Sequence, residues 1–123
     1  MFGDRDLRGL VEMAGVLVMT NGWQVVIRAD WADTTDTQPH GLDYAIILQD
    51  ERGERIFGFD NSHAYDGAGE SDPWDHEHRP GRAGQRFRYD FKSAHQLLTD
   101  FFNRLEDYCR SKGTPFEFEE DEK

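Results

Sequence analysis

An apolar stripe near the carboxyl end of the chain limits the folds that this sequence can adopt. Its members recur at helical spacing: Ala94, Leu97, Leu98, Phe101, Leu105 and Tyr108. This spacing predicts a long amphipathic helix with one buried side. Ser93 and Gln96 have the spacing of a capping box at its start, and Gly113 followed by Pro115 predicts its end. Such a helix needs a second apolar surface on which to pack.

The preceding sequence supplies that surface as strands. Apolar and polar residues alternate as in antiparallel strands with one wet side, and strands are predicted at 15–19, 23–31, 43–49, 55–59 and 85–91. Asn21-Gly22 predicts a two-residue hairpin turn, and Gly53 predicts a second hairpin. A short helix is predicted at 4–12. The expected class is α+β, with an antiparallel sheet of about five strands against one long C-terminal helix.

The length of 123 residues suits one compact domain with a single core. We assign residues 1–115 to that domain. The last seven residues contain five acids, which predicts a solvated acidic tail over 116–123.

Charge and cysteine content indicate the setting. Cys109 is the single cysteine and cannot form an intrachain disulfide, and no secretory leader is evident, so we expect a reduced, cytoplasmic protein. No apolar stretch approaches the roughly 20 residues that a membrane helix needs, so no membrane association is expected. The net charge of -11 disfavours nonspecific binding to nucleic acid.

The segment from Phe59 to Pro80 contains three of the five histidines and few aliphatic residues. Its candidate catalytic residues are Asp60, Asn61, His63, His76, His78 and Arg79. In an extended stretch His76 and His78 point to the same side, so two imidazoles can share the general acid and general base roles of phosphodiester cleavage through a 2′-hydroxyl. Arg79, or Arg82 in the next loop, can stabilise the charge that builds on the phosphate oxygens. This chemistry requires no cofactor.

Two other interpretations of the same segment stay open. His-x-His with a third histidine or Asp60 offers nitrogen and oxygen ligands that zinc or manganese accept. The segment is equally well explained as a polar loop whose histidines face water or cap strand ends. Neither spacing nor composition decides between these alternatives and catalysis.

Several elements occur in an order that resembles a known family: Tyr44 on a predicted strand, the hairpin turn at Gly53, Asp60-Asn61 with His63, and His76-x-His78. They resemble the central part of TumE-family proteins, the toxins of toxin–antitoxin pairs, and the similarity extends over residues 15–108. It implies a small α+β protein encoded beside a helix-turn-helix DNA-binding antitoxin. It also implies a toxic activity for which RNA is the suspected target.

The leading hypothesis is a toxin that acts as a metal-independent endoribonuclease. His63, His76 and His78 supply acid and base, and Asp60 orients one imidazole. The expected partners are the antitoxin and RNA, and self-association into a homo-oligomer is left open. The alternatives are a noncatalytic protein-interaction module, in which an aromatic face or strand edge binds a partner, and a metal-binding domain.

Overall fold

The computed structural model describes residues 4–31, 42–61, 75–81 and 87–119. Helix α1 covers Asp4–Glu12 and helix α2 covers Ala94–Lys112. Both predicted helices are therefore confirmed, as is the α+β class. Neither helix in the described ranges has the length and apolar character needed to cross a membrane.

Six antiparallel strands form one sheet whose spatial order equals the chain order. They are β1 Gly15–Val18, β2 Gln24–Trp31, β3 Leu42–Gln49, β4 Arg55–Asp60, β5 Asp75–His78 and β6 Phe87–Tyr89. The predicted set of about five strands omitted β5, the segment DHEH. Two histidines and two acids give no apolar alternation, so this strand was not recognisable as one.

The sheet has two different faces. Buried apolar side chains of the central strands point to one side, and Phe57 and Phe59 contact Phe101 of α2 with ring centroids 5.2 and 6.4 Å apart. This side is termed the helix face, and the opposite side is termed the outer face. Directly opposed residues of antiparallel strands project to the same side, so the strand register assigns each residue to a face.

Helix α2 starts and ends where the sequence predicts. Oγ of Ser93 accepts a hydrogen bond from the backbone N of Gln96 at 3.0 Å. The side chain of Gln96 instead donates to Asp100 at 2.9 Å, so only half of the predicted capping box forms. Gly113 ends the helix in the left-handed conformation with φ of 69°. The buried stripe is Ala94, Leu97, Phe101, Leu105 and Cys109.

The β1–β2 hairpin forms, but its turn is longer than predicted. Met19 N donates to Trp23 O at 2.8 Å and Gly22 N donates to Met19 O at 2.9 Å, which leaves three residues, 20–22, in the loop. Gly22 has a φ of 94°, a value that side chains disfavour. The prediction of a two-residue turn was therefore wrong, because Asn-Gly also suits a three-residue loop with glycine in its last position.

The first part of the predicted acidic tail lies along the edge of β1. Thr20 N donates to Glu117 O at 3.0 Å, and Glu119 N donates to Val18 O at 2.8 Å. The ring of Phe118 contacts Phe102 of α2 at a centroid distance of 6.2 Å. Backbone pairing and aromatic packing thus attach residues 117–119 to the domain.

Candidate functional site

Both histidines of the His-x-His element lie on the outer face, where β5 pairs with the end of β4. In the register Asp60 is opposite His76, and Gly58 is opposite His78. Nε2 of His78 lies 3.0 Å from Oδ2 of Asp60. The two side chains are only 13% and 14% exposed. The structure therefore brings three of the predicted site residues together at one place on the sheet.

The contact with Asp60 determines what the His78 ring can do. A carboxylate accepts a hydrogen bond from the ring nitrogen that faces it, so the neutral ring carries its proton on Nε2 and its lone pair on Nδ1. Nδ1 of His78 is buried and makes no hydrogen bond within the described ranges. A buried polar atom in that situation requires an explanation, and a catalytic or binding role is one of them.

His76 occupies the centre of a row of residues that crosses the outer face. Its neighbour on β4 is Asp60 and its neighbour on β6 is Arg88. His76 is 1% exposed. The Arg88 guanidinium is exposed and donates from Nε to Asp90 at 2.9 Å. An acid, an imidazole and a cation thus follow one another on adjacent strands.

Asn61 has a structural contact at each end of its amide. Its side-chain oxygen accepts from Tyr44 N at 3.0 Å, and its side-chain nitrogen donates to Leu42 O. The residue is fully buried. These bonds continue the pairing of β3 with the chain beyond β4, and they fix the backbone immediately after Asp60.

Arg79 is not on the same side of the sheet as the histidines. Its guanidinium carbon lies 3.9 Å from the ring centroid of Phe87, and Nη2 is 3.5 Å from Oε1 of Glu77. Phe87 is opposite Glu77 in the register, and Glu77 contacts α2, so all three are on the helix face. The structure therefore separates Arg79 from His76 and His78.

Sequence reasoning missed the ion pair that joins α2 to β5. Arg104 donates from Nε to Oε2 of Glu77 at 2.9 Å, and the Glu77 side chain is only 7% exposed. The hydrogen bond to Glu77 raises the pKa of Arg104. No local spacing links two residues so far apart in sequence. The one signal in the sequence was the acid itself, Glu77, in a segment that had not been predicted as a strand.

A second buried polar contact lies at the other end of β5. The hydroxyl of Tyr44 donates to Oδ2 of Asp75 at 2.6 Å, and both residues are buried. Burial, and next the charge of Asp75, raise the pKa of Tyr44 well above its usual value. This hydrogen bond holds Asp75, and the ion pair with Arg104 holds Glu77, so both helix-face acids of β5 have partners. The orientation of the strand and of its histidines is therefore fixed.

Two of the predicted residues, His63 and Arg82, lie outside the described residues. Among residues 4–31, 42–61, 75–81 and 87–119, no group of three histidine, cysteine or acidic side chains is arranged to hold a metal ion. Because His63 is outside these ranges, the metal hypothesis stays a prediction.

A six-stranded antiparallel sheet with one helix face and an Asp-His site on the other defines a small α+β protein with a candidate acid–base centre. The family model described as "Toxin TumE" matches residues 12–109. The chain therefore belongs to the TumE toxin family, as its sequence elements predict, and is a toxin component of a toxin–antitoxin system with an antitoxin partner. No curated protein and no solved structure matches the chain.

Proposed function

We propose that this toxin is a metal-independent endoribonuclease whose acid–base groups are His76 and His78. The observation that carries the proposal is the 3.0 Å contact between Nε2 of His78 and Oδ2 of Asp60, with His76 directly opposite Asp60. A carboxylate that accepts a hydrogen bond from one ring nitrogen leaves the lone pair on the other nitrogen, which can then accept a proton. Two imidazoles on one face can then act on opposite sides of a scissile phosphate.

In this mechanism His78 is the general base and His76 the general acid. Nδ1 of His78 accepts the proton of the 2′-hydroxyl, whose oxygen attacks phosphorus. His76 donates a proton to the departing 5′-oxygen, which leaves a 2′,3′-cyclic phosphate and a 5′-hydroxyl. Because Nδ1 of His78 and the side chain of His76 are both buried, RNA must displace what covers them before the reaction. His63 is proposed as a further imidazole of the same centre.

The remaining candidates take supporting roles. Asn61 is a positioning residue, because its amide is bonded at both ends to the backbone of β3 and holds the end of β4. The cation that stabilises the phosphate charge is better supplied by Arg88 than by Arg79, since Arg88 is opposite His76 on the outer face. Arg79 could contribute only after leaving Glu77 and Phe87.

The biological setting is proposed from the family. The partner is a helix-turn-helix DNA-binding antitoxin, and the site of action is the cytoplasm, where messenger RNA is available. The net charge of -11 weakens general affinity for RNA, so we expect cleavage to depend on a few contacts at the site.

The test is cleavage of a short labelled RNA by the purified chain in excess chelator. His76→Ala and His78→Ala should each lower the rate at least about 100-fold, the usual contribution of a general acid or base. His95→Ala is the control, because His95 is exposed on α2. Equal rates for all four proteins would dispose of the proposal. Activity that appears only with added zinc or manganese would favour the metal-binding alternative instead.

A noncatalytic interaction module is the second candidate, and one observation favours it. Val16 and Val18 on β1 are exposed large apolar side chains in an otherwise highly charged protein. If toxicity in cells persists in the double variant His76→Ala, His78→Ala but is lost in Val16→Glu, the toxicity comes from a protein interaction and not from RNA cleavage.

A further inference from the structure

The outer face carries an apolar patch next to the histidine site. The patch consists of Val16, Val18, Val26 and Ile47. Val16 is 55% exposed and Val18 is 36% exposed, while Val26 and Ile47 are partly exposed. In the register Val16 is opposite Val26, and Val26 is opposite Ile47, so three strands contribute to one continuous surface.

The patch leads directly to the candidate catalytic pair. Ile47 is opposite Gly58, and Gly58 is opposite His78. Gly58 has no side chain, so nothing from β4 rises between Ile47 and the imidazole. One row of neighbours therefore runs from Val16 on β1 to His78.

Side chains, rather than the strand edge, are the available contact surface at this end of β1. The backbone O of Val18 already accepts a hydrogen bond from Glu119 N, and Thr20 N already donates to Glu117 O. A partner strand could not pair there without displacing these bonds. A partner that packs on the valine and isoleucine side chains meets no such obstacle.

The spacing of the patch fits an α-helix that lies across the strands. Neighbouring strands are about 4.8 Å apart, which is close to the roughly 5.4 Å rise of one helical turn. Successive turns of a helix can therefore place apolar side chains over Val16, Val26 and Ile47. The next turn would lie over Gly58 and His78.

Charge indicates what kind of partner carries that helix. A second copy of this chain would bring together two bodies that each have a net charge of -11. Arg28 and Ala45 come next to the patch along β2 and β3, and beyond them Asp30 and Asp43 share the Arg28 cation at 3.6 and 3.3 Å. Two acids for one cation leave this group acidic, and with the net charge of -11 this makes a partner with lysine or arginine beside its apolar stripe complementary.

We propose that an amphipathic helix of the antitoxin, apolar on one side and basic along its border, packs on this patch. Its end lies over the Asp60–His78 pair, which is already mostly buried, and neutralises the toxin by blocking the approach of RNA. The inhibitory part of this proposal rests on the proposed nuclease function, whereas the binding part does not.

The test is calorimetric titration of the purified chain with the product of the adjacent antitoxin reading frame. Val16→Glu and Ile47→Glu should each raise Kd at least about tenfold, as expected for central apolar contacts. Leu17→Glu is the matched control, because Leu17 neighbours Val16, is 41% exposed and projects to the helix face. It should leave Kd within about twofold. Val16→Ser, a milder variant, and thermal unfolding of each protein separate lost binding from lost folding.

Equal Kd values for all variants, or equal weakening by Leu17→Glu, would overturn the proposal. So would a dependence on Val16 that is found for a labelled RNA or for dimers of the toxin but not for the antitoxin. Because binding is measured without any cleavage, a toxin that proves inactive on RNA would remove the nuclease function and still leave the patch tested.

Discussion

Arg104 of α2 donates a hydrogen bond from Nε to Oε2 of Glu77 on β5, over 2.9 Å. This bond joins the last helix to the strand whose other side carries His76 and His78. The carboxylate is nearly buried, and it also meets Arg79 at 3.5 Å. The helix thereby restrains a strand that has no apolar residue of its own with which to pack.

Replacing Arg104 with leucine should lower the free energy of unfolding by about 1–3 kcal/mol, because it removes a charged partner from a buried carboxylate. Arg79 remains nearby and limits the loss. Arg110→Leu is the control, since its ion pair with Asp107 is exposed and should contribute less than about 1 kcal/mol. Urea unfolding of the two variants gives the comparison, and equal losses would contradict this role for Glu77.

Asp60→Asn should lower the rate of RNA cleavage at least about 100-fold while the fold is retained. An amide can donate to Nε2 of His78, which would move the ring proton to Nδ1 and remove the proposed base. The measurement is single-turnover cleavage in excess chelator, with Asp107→Asn as an exposed control on α2. If Asp60→Asn cleaves as fast as the unmodified chain, Asp60 does not orient the catalytic imidazole.

Stability should fall as the pH rises above about 10, the ordinary pKa of tyrosine. Burial raises the pKa of Tyr44 and of Tyr89 in the folded chain. The unfolded chain therefore loses these protons first, and the stabilisation is complete below pH 10 and is lost above it. Urea midpoints from pH 8 to 11 measure the decline.

The variant Tyr44→Phe should lower stability at pH 8 by about 2 kcal/mol, because it removes a hydrogen bond to the buried carboxylate of Asp75. It should also make the loss of stability above pH 10 shallower, and the titration of Tyr89 accounts for part of the loss that remains. If the stability of Tyr44→Phe falls as steeply with pH as that of the unmodified chain, the titration of Tyr44 does not cause the alkaline loss.

Gly58→Ala should destabilise the sheet by about 1–3 kcal/mol. An added Cβ would lie 2.6 Å from Ile46 O and 3.1 Å from Ile47 Cα, and backbone atoms of a central strand cannot move aside. Gly9→Ala provides the contrast, because no atom lies within 4 Å and alanine favours the helix by about 0.5–1 kcal/mol. Thermal unfolding should shift in opposite directions for the two variants.

Much of the fold was predictable because its signals are local. The cap at Ser93, the apolar stripe and Gly113 determined α2 within one stretch of chain. Alternation identified the strands with apolar residues, and the same principle placed His76 and His78 on one side. The order of these elements was sufficient to indicate the family.

Long-range pairing decided the rest. The helices, the apolar strands and the two alternating imidazoles could be predicted from the sequence, because each depends on neighbours a few residues away. Three features became evident from the folded chain alone: β5 joins the sheet, His78 contacts Asp60, and Arg79 is on the opposite side. Those outcomes depend on strand register and on the buried partners of Asp75 and Glu77, which lie on distant parts of the chain.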